Sequence, residues 1–262
     1  MSTLDITLVQ PDLHWEQPER NRAELKRLLE PLAPTDVIVL PEMFATGFTM
    51  NSREMAEPMA SSETLAWMVD MARHTGAVMT GSVAIEDEGE CYNRMLWVTP
   101  EGEVVHYDKR HLFRMAGEHE RYGVGTKPVI VERNGIKLML SVCYDLRFPV
   151  WHRNTTLRYD ALLCIANWPA PRRMAWRTLL MARAIENLSY VIGVNRVGED
   201  AKGLAYSGDS MAIDFKGAPL LDEPEGQPFV KTVRLDKAEL DRFRDTFPAW
   251  QDADAFELHI GS

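Results

Sequence analysis

Short β-branched runs alternate with amphipathic stretches along most of this chain, which restricts it to a layered α/β architecture. The runs at 5–10 (DITLVQ), 36–42 (DVIVLPE), 77–85, 92–100, 103–109, 161–167, 190–195 and 210–215 read as strands. Between them, Leu25, Leu28 and Leu29 share one face of a helix at 19–30. Ser61 or Ser62 caps a second helix, where Leu65, Met68, Val69 and Ala72 recur at helical spacing until Gly76 stops it. A longer helix is predicted at about 172–188, with Met174, Leu179, Leu180, Met181 and Ile185 toward a core. Residues 128–142 (PVIVERNGIKLMLSV) carry the strongest local signal, two strands flanking the hairpin pair Asn134-Gly135. A helix-like stretch follows Cys143 to about Tyr159. No repeat or long linker divides the 262 residues, so one α/β domain with mixed sheets is expected over 1–262, with an extended tail from about 247.

Composition narrows the function. Lys and Arg number 29 against 39 Asp and Glu, and no basic block stands out, which argues against nucleic-acid or anionic-membrane partners. The first fifteen residues lack a basic region and a long apolar run, and no apolar stretch approaches the roughly 18 residues a spanning helix needs. Cys91, Cys143 and Cys164 are few, odd in number and far apart, so a reducing cytoplasm is expected rather than a disulfide framework. The seven histidines show no paired-ligand spacing, so no metal site is expected. Residues 121–128 (RYGVGTKP) have two glycines and a lysine without the spacing of a phosphate loop. Cys91, in a turn after EDEGE, and Cys164, inside ALLCIAN, suit incidental or core roles.

Three ionisable residues stand where strands should leave the core. Glu42 follows VIVL after one proline, Lys109 follows VVHYD, and Cys143 ends the run that begins at Ile136. In α/β sheets such ends are where loops converge and ligands bind. A carboxylate can take a thiol proton, and an ammonium can favour a thiolate or stabilise an oxyanion. Each residue also has an ordinary reading: Cys143 as a small apolar filler, Glu42 as a helix cap, Lys109 as part of a solvated charged turn. Chain spacing alone does not show that the three meet.

The segments VIVLPEMFATGF, YDKRHLF and VCYDLRFP, in that order, resemble the three signature segments of the nitrilase superfamily, the carbon–nitrogen hydrolases. ANWPAPR (166–172) and RAIENLSYVIGVNRVG (183–198) resemble its downstream segments, so the likeness reaches from the first strand to about residue 220. The short length and the ANWPAPR stretch look closest to the omega-amidase branch, which acts on 2-oxoglutaramate. The resemblance implies a four-layer α-β-β-α sandwich, usually paired across a homodimer, working without metal or organic cofactor on a small-molecule amide.

It also implies roles. Glu42 would be the general base, Lys109 the cationic stabiliser and Cys143 the nucleophile, with the backbone N–H of Tyr144 a second oxyanion donor. Glu118, in MAGEHERY, stands where related enzymes carry a second glutamate that orients the lysine, although Glu120 lies two residues away. Arg147 would take the substrate's far carboxylate, against the alternative of a structural ion pair with Asp145 or another acid. Trp168 and Arg172 would line the pocket, or Trp168 would be a packing anchor. Rival readings are another hydrolase of the superfamily, acting on N-carbamoyl amino acids or nitriles, and a catalytically idle interaction module.

Overall fold

Period-two alternation in the first strands sends side chains to two separate cores, which builds the layers. A computed structural model describes residues 2–259. In chain order the elements begin β1 (Thr3–Gln10), α1 (Pro18–Leu29), β2 (Val37–Val39), α2 (Ser52–Met55), β3 (Glu57–Pro58), α3 (Glu63–Thr75), β4 (Val78–Asp87), β5 (Glu90–Val98) and β6 (Val104–Asp108). They continue with β7 (Ile130–Arg133), β8 (Ile136–Val142), α4 (Pro149–His152), β9 (Ala161–Ile165), α5 (Arg173–Asn187), β10 (Tyr190–Val194), β11 (Val197–Glu199) and β12 (Ala205–Ser207). The last are β13 (Met211–Ile213), β14 (Pro219–Asp222), β15 (Phe229–Asp236) and α6 (Lys237–Thr246).

One sheet runs β15-β1-β2-β4-β5-β6, with β3 beside β4, and the other runs β14-β13-β10-β9-β8-β7. Leu4, Ile6, Leu8, Val37, Val39, Met95 and Trp97 face the second sheet, where Leu138, Leu140, Val142 and Leu163 meet them in one core. The alternate residues Val9, Ile38, Met79, Leu96 and Val98 face outward, where Leu25 and Leu29 of α1 and Met68 and Ala72 of α3 cover them. On the far side α5 packs on β10 and β13. The layers are therefore helix, sheet, sheet, helix, the expected sandwich.

Local chemistry sets the ends. Ser62, not Ser61, caps α3 by accepting from the Leu65 N–H, and Gly76 ends it at φ +69°. Asn134 and Gly135 both take positive φ, as a two-residue type I′ hairpin between β7 and β8 demands.

Several expectations are corrected. Beyond Cys143 there is no continuous helix to Tyr159; a 3₁₀ turn over Cys143–Arg147 leads to the single turn α4, since Pro149 can begin a helix but not continue one. On α5, Met174 and Ile185 are 76% and 54% exposed, while Trp176 and Leu180 fill the core. Cys91 lies on β5 rather than in a turn. The edge strand β15 and helix α6 were not anticipated: β15 buries only Val233 and Leu235 among exposed and half-buried residues, and its pairing with β1 is long-range. The tail after 247 makes a 3₁₀ turn at Ala249–Asp252 and then runs without regular structure to 259; residues 260–262 of that tail lie outside the described residues.

Candidate active site

The strand ends named in the sequence converge. β6 stops one residue before Lys109 and β8 one residue before Cys143, while Glu42 lies three residues past β2. Lys109 Nζ donates to Glu42 Oε1 over 2.8 Å and to Glu118 Oε1 and Oε2 over 3.0 and 2.9 Å. All three side chains are fully buried, so neither the cap reading of Glu42 nor the solvated reading of Lys109 survives. The Cys143 thiol points at the carbonyl oxygen of Asn167, 4.0 Å away, and lies within the electrostatic reach of Glu42 and Lys109. Glu120 is exposed and faces His119, so Glu118 is the second glutamate of the cluster.

Backbone geometry presents the sulfur. Cys143 has φ +48°, a left-handed conformation that costs a residue with a Cβ about 1–2 kcal/mol and turns the chain sharply from β8 into the 3₁₀ turn. Lys109 is pinned from behind, because Gly125 donates to its carbonyl over 2.9 Å. A Cβ on Gly125 would stand 1.8 Å from the carbonyl oxygen of Asp108, so only glycine permits this approach.

Two asparagines complete the cluster and were missed in the sequence. Asn93 Nδ2 donates to Glu42 Oε1 over 2.8 Å and to Glu118 Oε1 over 3.1 Å. The N–H of Asn167 donates to Glu42 Oε2 over 2.7 Å, and its side-chain amide donates to the Glu42 carbonyl. The available signal was an asparagine inside an otherwise strand-forming run, where such a residue is disfavoured without a buried partner. Phe113 N–H adds a bond of 2.6 Å to Glu118 Oε2.

The charges settle the resting protonation. Burial alone would strip Lys109, but Glu118 and Glu42 outweigh it and lift its pKa well above the lysine range, so it stays an ammonium. Burial, helped by the charge of Glu42, raises Glu118 against the pull of Lys109. Burial and Glu42 likewise push the Cys143 thiol well up, with Lys109 opposing. The expected help from the ammonium toward a thiolate is therefore present and outweighed. Sulfur rests as a thiol.

Above Cys143 opens a pocket of about 310 Å³, lined among others by Phe48, Phe113, Tyr144, Arg147, Trp168 and Arg172. The Arg147 guanidinium lies 4.8 Å from the Trp168 ring centre, and that of Arg172 lies 5.4 Å from the Phe113 ring centre. No carboxylate pairs with either arginine among the described residues. Asp145 in particular is occupied by Tyr107, His111 and Val142, which removes the proposed Asp145–Arg147 pair. Trp168 serves both readings, as pocket wall and as an anchor whose Nε1 donates to the Arg172 carbonyl over 2.9 Å. Tyr144 packs edge-on between Phe113 and Phe148. No cluster of metal-binding side chains occurs among the described residues.

A buried Glu–Lys–Glu cluster behind a thiol, at the joined ends of two stacked sheets, is the setting of a carbon–nitrogen hydrolase. The carbon–nitrogen hydrolase family model matches residues 5–245, and the chain belongs to that family. It is 47% identical over 258 residues to omega-amidase YafV of Escherichia coli K12, covering 98% of this chain and 100% of that protein. It is 32% identical to 2-oxoglutaramate amidase of Bacillus subtilis, covering 94% of this chain and 96% of that protein. A Xanthomonas campestris protein of the superfamily, solved with an arsenic adduct in its active site, superposes with TM-score 0.95 at 45% identity, covering 99% and 100% of the two chains.

Proposed function

We propose that this chain is a cysteine-dependent omega-amidase, hydrolysing the terminal amide of a small 2-oxo acid monoamide such as 2-oxoglutaramate. One observation carries the reading: in the pocket over Cys143, the Arg147 guanidinium lies on Trp168 with no carboxylate partner among the described residues. A bidentate cation opposite a nucleophile suits a substrate with an amide at one end and a carboxylate at the other. Similarity over nearly the whole chain to proteins named omega-amidase and 2-oxoglutaramate amidase supports the same substrate class.

In this mechanism Glu42 accepts the thiol proton as Cys143 Sγ bonds to the amide carbon. The carbonyl oxygen becomes an oxyanion, stabilised by Lys109 Nζ and the Tyr144 N–H. Glu42 returns the proton to the amide nitrogen, the C–N bond breaks, and ammonia leaves a thioester. Glu42 then removes a proton from water, whose oxygen attacks the thioester carbon. The C–S bond breaks, the sulfur regains a proton and the carboxylic acid departs. Glu118 holds Lys109 in place, while Arg147 takes the far carboxylate between Trp168 and Arg172. No metal or organic cofactor enters these steps.

The same proposal makes the protein a cytoplasmic homodimer without nucleic-acid or membrane partners. Net charge −10 and three free cysteines support this, and no helix among the described residues is long and apolar enough to cross a membrane. Exposed Met174 and Ile185 on α5 offer apolar surface for a second copy. The test is ammonia release from 2-oxoglutaramate beside N-carbamoyl amino acids and nitriles, for the wild type and Cys143→Ala. Preference for a carbamoyl or nitrile substrate would replace the omega-amidase reading, and undiminished turnover by Cys143→Ala would remove the nucleophile.

A further inference from the structure

Lys109 and Cys143 sit at the ends of strands in different sheets, so their separation depends on how the two sheets are locked together. Sheets packed face to face meet through apolar side chains, which fix spacing well but slide more easily than hydrogen-bonded strands. Besides Glu42, which joins Lys109 to Asn167, a second buried carboxylate spans that joint. Asp145 Oδ1 accepts from the His111 N–H and faces His111 Nδ1, each at 2.8 Å. Asp145 Oδ2 accepts from the Tyr107 hydroxyl over 2.7 Å and from the Val142 N–H over 3.0 Å. Tyr107 and His111 flank Lys109 by two residues on either side, and Val142 immediately precedes Cys143.

The geometry points to Asp145 as a positioning residue that sets the distance between Lys109 and Cys143 by clamping both of their segments to one carboxylate. It touches neither substrate nor the reacting atoms, and this role rests on the reading of Lys109 and Cys143 given above. Four donors match the four lone-pair sites of an ionised carboxylate, so the group is saturated. Burial works against its charge, but the His111 and Tyr107 hydrogen bonds and the two neighbouring imidazoles together outweigh that and hold its pKa below the usual range. Stacking of the His111 ring on Phe148, with centroids 3.8 Å apart, fixes the imidazole that meets Oδ1.

Asp145→Asn tests the clamp at constant size. An amide offers one acceptor oxygen. With its NH₂ at the Oδ2 position the Val142 N–H loses its partner, and at the Oδ1 position the His111 N–H does. Tyr107 and the His111 ring can adapt to an NH₂, but a backbone N–H cannot, so either orientation loosens one segment. We expect kcat of the folded variant to fall about 10- to 100-fold with KM changed less than about threefold. Iodoacetamide alkylation of Cys143, followed by mass spectrometry across pH, reads the same geometry without any amide substrate. It is expected to be slower at neutral pH, with its rise moved to higher pH as Lys109 draws away. Tyr107→Phe removes one adaptable donor together with the hydroxyl that accepts from the Arg110 N–H over 3.2 Å, keeps the His111 and Val142 N–H groups on Asp145, and is expected to show the same pattern more weakly. Lost stability in Asp145→Asn with unchanged kcat and an unchanged alkylation profile in the folded fraction would overturn the clamp. Should Asp145→Asn not fold, an unchanged kcat and alkylation profile in Tyr107→Phe would overturn it instead. Inactivity of the wild type toward 2-oxoglutaramate would instead refute the substrate assignment, and the alkylation comparison would still stand.

Discussion

The backbone N–H of Asn167 donates to Glu42 Oε2 over 2.7 Å, and this bond decides which part of the carboxylate is left for the thiol. Oε1 already accepts from Lys109 and Asn93, both at 2.8 Å, so its lone pairs are filled. Oε2 accepts only from the Asn167 N–H among the described residues, so one of its lone pairs stays open. The sheet-end loop carrying Asn167 thus orients the Glu42 carboxylate by main-chain geometry.

Cys143→Ala should lower ammonia release about ten-thousandfold while leaving the unfolding midpoint near that of the wild type, because the half-buried side chain packs at a rim. Stopped assays and denaturant melts on the same preparation check both halves. Residual turnover within tenfold of the wild type would contradict the assignment.

Lys109→Met should remove activity and also destabilise the fold by about 3–5 kcal/mol, since two buried carboxylates would lose their shared cation. Urea unfolding measures the second effect. An unchanged midpoint would mean that the cluster carries less charge than its hydrogen bonds imply.

Glu118→Gln and Glu120→Gln separate the two neighbouring acids. The first should cut kcat about a hundredfold, because an amide holds the ammonium less well. The second, on an exposed side chain, should leave kcat within twofold of wild type. Equal losses from both would place the second glutamate wrongly.

Arg147→Lys should raise KM for 2-oxoglutaramate about tenfold or more, with kcat nearly kept, because an ammonium neither forks onto a carboxylate nor lies flat on Trp168. The same variant should treat an uncharged amide as the wild type does. A parallel loss on both substrates would argue against carboxylate anchoring.

Acid should weaken the fold through His152. Burial pushes this imidazole down to about 4 from 6.5, so the folded state holds it neutral. Its contribution is complete above about pH 6.5 and is lost as pH falls toward about 4, because only the unfolded chain takes up the proton in that window. The total is about 3 kcal/mol. His152→Gln, which can still meet the Ser141 hydroxyl now 2.9 Å from Nε2, should flatten this slope in thermal melts at stepped pH. An equal slope in the variant would locate the acid sensitivity elsewhere.

Periodicity was enough for β1, α1, α3 and the hairpin at Asn134-Gly135, because there the local signal and the tertiary demand agree. It failed on α5, where spacing alone sent Met174 and Ile185 inward while Trp176 holds the core. It also missed β15, whose stability comes from pairing with β1 more than two hundred residues away. The sequence by itself determined which residue types end the strands: a carboxylate, an ammonium and a thiol at 42, 109 and 143. Only the tertiary structure decided that Lys109 meets Glu42 beneath the pocket of Cys143, that Asn93 and Asn167 hold Glu42, that Asp145 is taken by Tyr107 and His111 rather than by Arg147, and that the sulfur rests protonated. Residue identity is local, whereas contact, burial and therefore pKa arise when two sheets close over one another and exclude water.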